Sequence, residues 1–155
     1  MPTDVGARDA RGMNTSLRMV LDIALRSFVL VAASQVVAEL YARANPDDDG
    51  LGTGLTVMAL MVALAGGWGL VDGFRKPLSH LCVTWIAVGL VTSAVTTVYA
   101  GTQEQGPVDW SVVVADLQGG LLFWAALAFV PAVLAGALAS LARGQGPAEA
   151  HPSDR

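Results

Sequence analysis

The chain has 155 residues, of which 54% are hydrophobic and 14% charged, too few charges to wet the surface of a soluble domain of this size. A formal net charge of −4 without a dense basic patch argues against a nucleic-acid partner. The single cysteine, Cys82, excludes an intrachain disulfide and any CxxC-type site.

Four runs, at about 17–42, 51–72, 78–100 and 112–141, each reach the roughly 20 apolar residues that a spanning helix needs. Stretches within them, such as 57–64 and 121–130, have no polar face, so lipid rather than protein must cover them. The expected fold class is all-α: a four-helix transmembrane bundle over 17–142, with flexible cytoplasmic tails at 1–16 and 143–155. Met13 is an alternative start within the first tail.

The first run follows Arg8, Arg11 and Arg18 and ends at Ala42-Arg43-Ala44, which has the form of a signal-peptidase site. It is longer than a signal core of about 7–15 residues and is interrupted by Asp22, Arg26, Gln35 and Glu39, so it is expected to stay as a helix. Arg18, Asp22 and Arg26 stand four apart, so Asp22 can pair with either arginine. They form either a self-neutralised ladder at the headgroups or a cytoplasmic gate or anion site built on Arg26.

Asn45-Pro46-Asp47-Asp48-Asp49-Gly50 matches half of a calcium loop. The glutamate required at the twelfth position is replaced by Thr56, which leaves an acidic turn.

The second run carries two four-residue seams of small side chains, Ala59/Ala63/Gly67 and Ala65/Gly69/Gly73. Such seams let backbones approach closely. Asp72 ends this run and is expected at the headgroups, as is Arg18.

In the third run Trp85, Gly89, Thr92 and Thr96 share a face, where hydroxyls either line a polar path or bond their own helix. His80 has no ligand companion at metal spacing and is read as interfacial. The fourth run repeats the small-residue device with Ala128, Ala132, Gly136 and Ser140. Pro131 there strands the carbonyl of Leu127, so a kink is expected. Asp116 is either a helix-start residue complementing the dipole or a charged group on a substrate path.

Lysine and arginine set orientation. With the N-terminus inside, Arg8, Arg11, Arg18, Arg75, Lys76, Arg143 and Arg155 are cytoplasmic and only Arg43 lies outside. Both termini are therefore expected in the cytoplasm, with Asp47, Asp48, Asp49, Glu104 and Asp109 outside beside Trp110.

Trp68-Gly69-Leu70-Val71-Asp72-Gly73 closes the second run, Thr84-Trp85 opens the third, and residues 123–132 read FWAALAFVPA. In that order the chain resembles, over about residues 60–142, the bacterial four-helix family placed in the drug/metabolite transporter superfamily, found largely in actinobacteria. The resemblance implies a plasma-membrane protein classed with transporters. The small multidrug-resistance branch exchanges protons for cations on a glutamate in the middle of its first helix. Here that place holds Val29, Leu30, Val31, Ala32 and Ala33.

No nucleophile–base set, phosphate loop or HExxH occurs, so no enzymatic activity, cofactor or metal is expected. Asp22, Arg26, Asp116, Thr92 and Thr96 are the substrate- or ion-path candidates. Ala59, Ala63, Gly67, Ala128, Ala132 and Gly136 are the helix-packing candidates. The expected partners are the lipid bilayer and a second copy or another membrane protein, the latter met through Ala59/Ala63/Gly67 in a non-transporting role.

Overall fold

A computed structural model describes residues 5–103 and 110–144, with side chains described over 16–102 and 110–144. Expectations for residues 104–109 and 145–155, and for the side chains of Arg8 and Arg11, lie outside the described residues.

The described chain is all-helical, in four elements: α1 (Val5–Ala44), α2 (Leu51–Arg75), α3 (Leu78–Gln103) and α4 (Trp110–Gly144). Each contains a segment long and apolar enough to cross a membrane, beginning in α1 at Ser16. The helix of α1 starts at Val5, ahead of the apolar run, so its first turns fall in the stretch expected as a tail.

Cross-helix pairs fix the direction of each element. Arg26 meets Asp72 and Asp22 meets Lys76, so α1 and α2 are antiparallel. Arg26 lies over Trp85 and the Ser27 hydroxyl bonds the carbonyl of Val88, which matches α1 and α3 in parallel. Gly69 approaches Ala132 and Gly73 approaches Gly136, so α2 and α4 are also parallel. Around the bundle the helices run α1, α2, α4, α3, and among the described residues α1 and α4 do not touch.

The tightest seam is α2 against α4. A Cβ on Gly69 would overlap the backbone of Ala132, and one on Gly73 that of Gly136. Ala65, Ala128 and Ala132 are fully buried beside them. Of the two seams, Ala65/Gly69/Gly73 packs the bundle, whereas Ala59, Ala63 and Gly67 face outward, with nothing within 4 Å of a Cβ at Gly67. Both stripes repeat every four residues, and only the position of α4 selects between them. On α4, Ala128, Ala132 and Gly136 are buried. Pro131 lies within a continuous α4, opposite Gly66.

Between α1 and α2 the acidic turn caps a helix. Asp48 accepts from the backbone N–H of Gly52 (3.2 Å) and Thr53 (3.0 Å) and from the Thr53 hydroxyl (3.0 Å). These donors would otherwise be orphans of the first turn. The chain enters α2 through Gly50 at φ +92°, a left-handed conformation that glycine adopts without steric cost. The N–H bonds from Thr53 and Gly52 hold the Asp48 carboxylate below its ordinary pKa, the Thr53 amide contributing most.

Candidate functional site

Two of the sequence candidates, Asp22 and Arg26, sit in a four-charge cluster where α1, α2 and α3 converge at the end of the bundle to which α4 returns. Arg26 is 5% exposed and its Nε donates to Asp22 Oδ1 at 2.9 Å. Its Nη2 donates to Asp72 Oδ1 at 3.0 Å, and Nη1 bonds Asp72 Oδ2. The two carboxylates thus take all three guanidinium nitrogens, including a two-pronged grip that a planar fork makes well. Lys76 completes the set, with Nζ 2.8 Å from Asp22 Oδ2 and 3.5 Å from Asp72 Oδ1.

Two indoles wall the cluster. The guanidinium carbon of Arg26 lies 5.9 Å from the Trp68 ring centroid and 5.5 Å from that of Trp85, within cation–π range. The fully buried Trp85 also donates Nε1–H to Asp72 Oδ2 at 3.3 Å.

Asp72, in the last turn of α2, is 3% exposed and paired inside the protein. A lone carboxylate could not be buried there, but two cations and an indole N–H supply its bonds. A signal for it was present in the chain. Trp68, Asp72 and Lys76 stand four apart, as do Arg18, Asp22 and Arg26, so the two stretches place their polar and indole groups at a matching period. Of the second set only Asp22 and Arg26 join the cluster; Arg18 is exposed.

The remaining candidates lie toward the opposite end, between α3 and α4. A cleft of about 400 Å³ is lined by Thr96, Thr97, Asp116, Gly119, Gly120 and Trp124. Asp116 is six residues into α4, exposed, and among the described residues no cation is paired with it. Paired glycines at 119 and 120 remove the side chains that would otherwise fill the space between Asp116 and Trp124.

Thr92 does not line the cleft. It is buried one turn below Thr96, and neither its hydroxyl nor that of Ser93 has a hydrogen-bond partner. In an apolar setting an unbonded hydroxyl costs about 2–7 kcal/mol. His80 is exposed, its Nδ1 3.1 Å from the Thr84 hydroxyl.

The chain thus brings Asp22 and Arg26 together, sets Thr96 and Asp116 in one cleft, and leaves Thr92 buried between the two places. No protein-family model, curated protein or solved structure matches this chain.

Proposed function

We propose that this chain is a small multi-pass transporter of the drug/metabolite type in a bacterial plasma membrane, with both termini cytoplasmic. One observation carries the reading: the two ends of the bundle differ in kind. At one, Arg26, Asp22, Asp72 and Lys76 draw three helices together under two indoles. At the other, α3 and α4 part around a carboxylate and two threonine hydroxyls. Alternating access requires one state of that form, closed at one end and open at the other.

Ion pairs suit a gate because their partners can be exchanged, and buried charge in a membrane helix is costly enough that it usually marks function. The excess of lysine and arginine at the charged end supports a cytoplasmic location for it. The resemblance of residues 60–142 to the four-helix drug/metabolite family points the same way. In this reading Asp116 receives the substrate and Arg26–Asp72 forms the inner gate.

The test is flux through the purified chain in proteoliposomes, using a panel of fluorescent amphiphilic and zwitterionic solutes. Wild type should move at least one of them, and Asp116→Asn should abolish that movement while the protein still folds. Movement of no solute, or undiminished flux in Asp116→Asn, would defeat the assignment.

A second reading, a non-transporting protein that docks a partner helix, is favoured by the outward stripe Ala59/Ala63/Gly67, which none of the described residues covers at Gly67. Gly67→Leu should then abolish co-purification of the partner from native membranes; retained co-purification counts against it.

A further inference from the structure

Several serines and threonines of the described helices satisfy the hydroxyl locally, while Ser27 bonds across to the carbonyl of Val88. Ser34, Thr56, Thr84, Thr102 and Ser140 each turn the hydroxyl back onto a carbonyl three or four residues earlier, at 2.7–2.9 Å. That is the inexpensive solution in a membrane helix, where no water is at hand. Thr92 and Ser93 do not take it. They are 2% and 1% exposed, neighbours in sequence, and neither hydroxyl has a hydrogen-bond partner among the described residues.

Their position gives the reason. Thr92 and Ser93 stand one helical turn below Thr96 and Thr97, the two hydroxyls on the α3 wall of the cleft. At 1.5 Å per residue the lower tier lies about 15 Å from the Thr102 end of α3, close to half of a roughly 30 Å hydrocarbon core. Trp85, with its bond to Asp72, comes about two turns further on. The four hydroxyls therefore form two tiers between the open cleft and the charged cluster.

We infer that Thr92 and Ser93 hold internal water, which extends the cleft to the middle of the bilayer and ends short of Trp85. Each hydroxyl has one donor and two acceptor sites to offer, and an internal water needs two to four such partners. The two side chains would supply part of that set, and a water between the tiers would draw on the Thr96 and Thr97 hydroxyls one turn above. A site of this kind solvates a polar solute group at the depth where the membrane would otherwise strip it. The inference rests on reading the cleft as a water-facing mouth.

Cysteine accessibility separates the inference from that reading. In a Cys82→Ala background, single cysteines at Thr92, Ser93, Thr96 and Val88 are reacted in proteoliposomes with a charged, water-soluble methanethiosulfonate. Val88 is the dry control, being fully buried in the apolar core. A thiol whose pKa is raised about two units by apolar surroundings has about 100-fold less thiolate, so a wet tier should react about 100-fold faster than Val88→Cys. Thr92→Cys or Ser93→Cys reacting nearly as fast as Thr96→Cys is the expected result. Both as slow as Val88→Cys, with Thr96→Cys fast, would overturn the inference alone. Thr96→Cys inert as well would overturn the reading of the mouth. Should the variants misfold, the unaltered chain in nanodiscs decides: a water cross-relaxation signal at the Thr92 methyl is expected, and its absence beside a signal at Thr96 would overturn the inference.

Discussion

The guanidinium of Arg26 in α1 holds both carboxylate oxygens of Asp72 in α2, across 46 positions of sequence and with both groups nearly sealed from solvent. Removing one partner of a buried ion pair is worse than removing both, because the other charge is left unpaired in a poor solvent for it. Asp72→Leu should therefore destabilise the protein by about 3–5 kcal/mol, and adding Arg26→Met should recover a good part of that loss. Thermal melts of the two single variants and the double variant in one detergent check this. Additive losses would show that the pair is not coupled.

Trp85 contributes a ring and a hydrogen bond, and substitution separates them. Trp85→Phe keeps an aromatic face beside Arg26 but deletes the Nε1–H donated to Asp72 at 3.3 Å. A bond to a charged acceptor is worth about 1.5–3 kcal/mol, and this long one belongs at the lower end. Trp85→Leu, which loses the ring as well, should cost more by the roughly 1–2 kcal/mol of a partly desolvated cation–π contact. Denaturation midpoints of the two variants give both numbers.

The two small-residue stripes of α2 should respond oppositely to a methyl group. Gly69→Ala places a Cβ into the backbone of Ala132 and should destabilise by about 1–3 kcal/mol, whereas Gly67→Ala meets nothing within 4 Å. Replacing the exposed glycine should even help slightly, since alanine is the better helix former by about 1 kcal/mol. Equal losses at both positions would mean that α4 packs elsewhere.

Asp48 makes the loop sensitive to acid. Its folded pKa lies below the ordinary 3.8 because the carboxylate accepts N–H bonds from the start of α2. The unfolded chain therefore takes up a proton first as pH falls. The stabilisation is complete above 3.8 and is lost as pH drops through the lowered folded value. The melting-temperature advantage of wild type over Asp48→Asn should be constant above 3.8 and shrink below it. A gap independent of pH would rule out the carboxylate as its source.

Residue chemistry made the four spans legible, since length and hydropathy alone require lipid. Chemistry also marked Asp22 and Arg26 as partners, because a four-residue spacing joins them on one helix whatever surrounds it. What it did not disclose is azimuth. Asp72 looks like a headgroup residue until α1 is known to lie across from it, and Gly67 looks as suited to packing as Gly69 until α4 is placed. The helices also run past their apolar residues: α2 continues to Arg75, where the Phe74 carbonyl accepts from Arg143 and the adjoining Lys76 reaches Asp22. The orphan hydroxyls of Thr92 and Ser93 were invisible in sequence, because a threonine bonded to its own helix is spelled the same way as one that is not.

The division of Arg26 between two helices also bears on how the chain is made. α1 leaves the ribosome before α2, and among the described residues it offers the guanidinium only Asp22, on the Nε edge. Both Nη groups wait for Asp72, which follows after the turn at residues 45–50. The smallest piece of nascent chain in which that arginine is satisfied is the α1–α2 hairpin, so the translocon has reason to release these two helices to lipid as a pair.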